Sequence, residues 1–195
     1  MPTGSSVLDI GCGGGLLVAR LATTGRARAA HGIDASAPAI AIAQGMAARL
    51  GAIIPETTAE PTTEPATEAG QIRFEHRPVQ QGLPDGPFDA VCLIDVMHHV
   101  PPGAQERAFR DAASRVRPGG RFIYKDMCDA PRWRAGMNRL HDLAMARQWI
   151  RYLPIESAEA WAVEEGLALV HREDIKMLWY GHELRVFERP AEPAS

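Results

Sequence analysis

The chain has 195 residues, 46% of them hydrophobic and 23% charged, with a formal net charge of -3. That is enough apolar material for one soluble α/β domain, and the wrong charge for a general nucleic-acid binder, which is strongly basic. Cys12, Cys92 and Cys128 form no CxxC pair, so neither a disulfide framework nor a metal site is expected, and the reading is a reducing cytoplasm. The first residues carry no basic and apolar leader pattern, and no apolar run reaches the length of a membrane span. Lys125 and Lys176 are the only lysines among 21 basic residues, a skew that reads as coding bias.

Val7 to Ile10 is a short apolar run ending in Gly11-Cys12-Gly13-Gly14-Gly15. A helix follows over 16–22 with Gly25 as its stop, then a strand over 29–34. Ser36 and Pro38 open a helix to Leu50. Residues 55–69 are low-complexity Thr/Glu/Pro with four glutamates and no basic residue, a disordered insertion with little to bury. Strands are predicted at 72–75 and 88–94, the second apolar enough to be buried on both faces. A helix over 104–116 is stopped by Pro118-Gly119-Gly120, and a strand begins at 121–124. A helical segment over 130–153 reads as a lid, followed by a helix at 157–165 and strands from 168 and over 183–188. The last two strands are joined at Tyr180-Gly181-His182 and should be antiparallel. The whole is one α/β domain over 1–190, doubly wound with a mostly parallel sheet, and a flexible tail over 190–195.

The first loop contains D-x-G-x-G-x-G between a strand and a helix, and Asp34 closes the second strand 21 residues after Gly13. Glycines let a ligand approach the backbone, the helix start offers free N–H groups, and a carboxylate at Asp34 can accept both hydroxyls of a ribose. A dinucleotide fingerprint needs a third glycine where Leu16 stands, which disfavours a nucleotide-dependent oxidoreductase.

Four stretches in order, VLDIGCGGG, Asp34 closing its strand, FDAVCLIDVMHHV and RVRPGGRFI, resemble the class I S-adenosylmethionine-dependent methyltransferases over 6–127. That resemblance implies a Rossmann-like fold with an antiparallel last strand and S-adenosylmethionine as cofactor. It places Asp9, Gly11, Cys12 and Gly13 along the methionine and ribose, Asp34 on the ribose and Ala35 beside the adenine. Asp95 falls by the sulfonium or the acceptor. Many members have an acid after the third strand for the adenine amino group; here Arg77-Pro78-Val79-Gln80 has none, and Gln80 is the substitute.

Methyl transfer needs the acceptor held in line, and a base only where a proton must leave. Asp95, His98 and His99 are the candidate catalytic groups, with Lys125 and Asp126 facing the same cleft. Adjacent histidines on a helix point apart, which argues against a shared metal. The 130–153 segment carries five arginines against Asp142. Arg139 and Arg147, with Lys125, are candidate contacts to an anionic substituent. The expected function is methylation, at oxygen, of a small-molecule or lipid-type acceptor, with peripheral membrane contact as a variant. The alternative is a non-catalytic cofactor-binding or scaffolding protein. The oligomeric state is not encoded in any motif.

Overall fold

The computed structural model describes residues 2–51, 72–127, 152–177 and 180–191. The acidic insertion at 55–69, Cys128, Arg139, Arg147 and all but the last residues of the 130–153 segment lie outside the described residues. Elements in chain order are β1 (Ser5–Ile10), α1 (Leu16–Thr23), β2 (Ala27–Asp34), α2 (Ala37–Gly51), β3 (Ile72–His76) and β4 (Phe88–Ile94). They continue with α3 (Pro102–Ser114), β5 (Val116–Met127), α4 (Ile155–Glu164), β6 (Ala168–Met177) and β7 (Tyr180–Glu188). Short 3-10 turns occupy Val79–Gln81 and Met97–His99. The strand order is β3-β2-β1-β4-β5-β7-β6, a mixed and mostly parallel sheet closed by antiparallel strands. Among the described residues no helix is long and apolar enough to cross a membrane.

Contacts divide the chain into two compact units, 1–81 and 82–195. In the first, β1 pairs in parallel with β2 and β2 with β3. Val7, Leu8 and Ile10 are almost fully buried, as a strand covered on both faces requires. Each such side chain contributes about 1.5–3 kcal/mol by leaving water. Val18 of α1, and Ile40 and Ala43 of α2, close the layer. Ser36 caps α2, its Oγ accepting the Ala39 N–H at 3.3 Å.

In the second unit, β4 and β5 run parallel and β7 inserts antiparallel between β5 and β6. Phe109 of α3 meets Phe122 and Tyr124 edge-on at centroid distances of 5.0 and 5.6 Å, and Trp161 of α4 at 5.7 Å. Arg189 ties this packing together, donating to the carbonyls of Ala113, Val116 and Glu165.

Two sequence expectations are corrected here. The helix predicted to 116 ends at Ser114, because Val116 pairs with Phe88 and already belongs to β5; the residues before the Ala90–Arg121 pair form an irregularity inside that strand. Gly119 has φ +72 and its N–H donates to the Arg189 carbonyl. The β6–β7 connection is not at 180–182: Met177 pairs with Tyr180, so those residues start β7.

Candidate active site

The glycine loop is tied to the end of β2 by backbone. Gly11 and Cys12 both donate to the Ile33 carbonyl, at 2.8 and 3.0 Å. Asp34 then organises the loop: Oδ2 accepts the Gly13 N–H at 2.8 Å and Oδ1 the Ser36 N–H at 2.7 Å. A carboxylate has about four acceptor positions, so two remain for a ligand. Gly13 has φ +53, and nothing lies within 4 Å of where a Cβ would stand. Gly15 is different. It has φ +79, and a Cβ there would stand 2.5 Å from the Phe74 ring. The chain can therefore turn into α1 only with glycine at that place. Because Gly15 is the N-cap, no side chain caps the first amides of α1, which point at whatever occupies the loop.

Asp9 is 3% exposed and has no hydrogen-bond or ion-pair partner among the described residues. Burial, and then the Asp34 charge, push its carboxyl up to about 7. An acid so placed is half protonated near neutrality, and a cationic ligand would relieve it. An open glycine cradle, spare acceptor sites on Asp34 and a buried unpaired acid together fit a ligand with a vicinal diol and a positive charge. Cys12 is not a nucleophile: burial and the Asp9 and Asp34 charges push its thiol up to about 12, so it serves as a small packing residue.

The second unit holds two distinct clusters. Asp95 follows β4 with φ 55, a rare conformation for a residue with a side chain. Its oxygens take Lys125 Nζ at 2.8 and 2.6 Å, and His182 Nδ1 lies 3.2 Å from the same nitrogen. An ammonium only donates, so His182 accepts at Nδ1 and carries its proton on Nε2. Burial, then the Lys125 charge, lower the His182 pKa. In the other cluster His98, itself buried, has Nδ1 2.5 Å from Asp126 Oδ1. Asp126 also accepts the His98 N–H at 3.1 Å and the Met127 N–H at 2.8 Å.

The profile of the methyltransferase-domain family matches residues 1–172. The chain belongs to this family. Relatives of this methyltransferase domain include the ubiquinone biosynthesis O-methyltransferase of Albidiferax ferrireducens, 32% identical over 66% of this chain and 44% of the relative. The mitochondrial ubiquinone biosynthesis O-methyltransferase of Schizosaccharomyces pombe is 28% identical over 78% of this chain and 47% of its own length. The chain thus spans less than half the length of these two relatives. The fold is shared with magnesium protoporphyrin IX methyltransferase from Synechocystis PCC 6803 with bound SAH, at TM-score 0.70 and 19% identity, covering 96% of this chain and 74% of that one. It is also shared with the N-methyltransferase NodS of Bradyrhizobium japonicum in complex with S-adenosylhomocysteine, at TM-score 0.69 and 19% identity, covering 96% and 79%.

The structure brings Asp9, Gly11, Cys12, Gly13, Asp34 and Ala35 of the methyltransferase domain into one loop system. Gln80 stands exposed in the 3-10 turn after β3. Lys125 and Asp126 do not share one cluster as expected. They are neighbours on a strand, their side chains alternate, and they pair separately with Asp95 and His98. His98 and His99 sit on a 3-10 turn with ring centroids 4.1 Å apart, so the expected divergence of the rings is not seen. Among the described residues no cluster suits a metal ion. Sequence reasoning missed His182, Phe74 and His76. Period-two alternation along β3 was the available signal for the last two, since Gly32–Phe74 and Asp34–His76 are register partners.

Proposed function

We propose that this chain binds S-adenosylmethionine through its first unit and methylates an oxygen of a small-molecule acceptor handled by its second. The observation that carries the reading is Asp34, locked by two backbone amides with acceptor positions to spare, beside an open glycine loop and a buried unpaired acid. When bound, the cofactor supplies an electrophilic methyl group on a sulfonium. Asp34 would hold the ribose diol, the loop amides the polar part of the methionine, and Asp9 its positive charge.

Oxygen as the acceptor atom is supported by the relatives, which are O-methyltransferases, and by the His98–Asp126 pair. Asp126 engages His98 at Nδ1, the arrangement in which a carboxylate orients an imidazole that takes a hydroxyl proton. Asp126 is the positioning residue: it fixes the tautomer and stabilises the imidazolium that results. Lys125 has its donors spent on Asp95 and His182, so His182 Nε2–H is the donor this cluster offers to an electron-rich oxygen of the acceptor.

The test is transfer of labelled methyl from S-adenosylmethionine to a panel of catechols and hydroxybenzoates by the whole protein. Labelled product that disappears in His98→Ala, with S-adenosylhomocysteine binding intact, supports the reading. Binding without transfer to any panel member would leave a cofactor-binding protein and refute the acceptor chemistry.

A further inference from the structure

His76 ends β3 and is the register partner of Asp34, which ends β2. The two therefore stand on one face at the carboxyl ends of adjacent strands, about 4.8 Å apart. Phe74, two residues earlier, confirms the face, because its ring fills the space a Cβ on Gly32 would need, at 2.7 Å. Asp9 lies on β1, Asp34 on β2 and His76 on β3. A nucleoside whose diol is on Asp34 and whose positive end is toward Asp9 must carry its base outward, toward β3.

Among the described residues, that place has no acid to offer. Glu75 alternates to the other face and is taken by Arg77 Nε and Nη2, both at 2.8 Å. The Arg77 N–H is spent on the Asp34 carbonyl at 2.9 Å. His76 Nε2 lies 3.0 Å from the Ala35 carbonyl. A carbonyl only accepts, so Nε2 carries the proton and the neutral ring keeps an acceptor lone pair on Nδ1. The ring is exposed, pinned at one nitrogen, and Nδ1 has no partner among the described residues.

We propose that His76 is the residue that reads the adenine, its Nδ1 accepting a hydrogen bond from the exocyclic amino group while Nε2–H holds the Ala35 carbonyl. This inference rests on the cofactor reading above and assigns to His76 the role that sequence gave to Gln80. It makes base selectivity a property of one imidazole.

Calorimetric titration with S-adenosylhomocysteine and with S-inosylhomocysteine, which has a carbonyl in place of the amino group, tests it. The wild type should prefer the adenosyl ligand by about three- to tenfold, the range of one neutral hydrogen bond. His76→Gln keeps a donor for Ala35 but has no acceptor at the Nδ1 position; it should weaken the adenosyl ligand by that factor and leave the inosyl ligand unchanged. His76→Asn places a carbonyl oxygen near the Nδ1 position and should retain the preference. Equal weakening of both ligands by His76→Gln would mean that His76 only braces the loop, and would overturn the proposal. So would a preference that survives His76→Gln or is abolished by Gln80→Ala. Failure of the wild type to bind either ligand would overturn the cofactor reading itself, a separate outcome.

Discussion

Asp9 makes a prediction that needs no ligand. Burial, and then the Asp34 charge, push its carboxyl from the ordinary 3.8 up to about 7 in the folded chain. Above pH 4 the unfolded chain has lost this proton while the folded chain keeps it, so stability falls as pH rises and levels off above pH 7. A shift of about three pH units corresponds to about 4 kcal/mol at 1.36 kcal/mol per unit, of which about 3 kcal/mol is lost between pH 5 and pH 8. Asp9→Asn removes the titration. Urea unfolding of both proteins at pH 5 and pH 8 should therefore show the variant gaining about 3 kcal/mol on the wild type across that interval, a relative midpoint shift on the order of 1 M urea. Part of the shift comes from the Asp34 charge, so Asp34→Asn should reduce the slope without abolishing it. A wild type whose stability relative to Asp9→Asn is flat, or rises with pH, would refute the argument that this acid is buried without a partner.

Three further outcomes follow from the same geometry. Binding of a cationic cofactor at pH 7 should release about half a proton from Asp9, read by calorimetry in buffers of different ionisation enthalpy, and none in Asp9→Asn. Gly15→Ala combines a left-handed backbone with a collision against Phe74 and should cost about 2–5 kcal/mol in urea unfolding, with part of the loss recovered by Phe74→Leu. Asp126→Asn should lower kcat/KM at least tenfold near neutrality, with S-adenosylhomocysteine affinity unchanged, because His98 loses its fixed tautomer and not its place.

The cofactor loop was legible in sequence because its chemistry is local: strand, glycines, helix and an acid one strand later impose a spacing that survives folding. Asp34 illustrates this, bonded to Gly13 across 21 residues. The second unit was legible in its elements and not in its pairs. Asp95 meets Lys125 across 30 residues and His98 meets Asp126 across 28. Which partner each takes depends on the alternation of β5, which a list of polar residues near one strand end does not contain. His182 was hidden further, since it reaches Lys125 only through the antiparallel register of β7 on β5. Val116 misled for a physical reason: it continues the apolar period of α3, yet pairing with Phe88 draws it into the sheet.

The most direct test of the central claim, that Asp34 and the glycine loop hold the cofactor, is the affinity of S-adenosylhomocysteine for wild type and Asp34→Asn by isothermal titration. Charge-assisted hydrogen bonds of about 1.5–3 kcal/mol predict a roughly 10- to 150-fold loss in the variant. Equal affinity in the two proteins, or no binding by the wild type, would contradict the account.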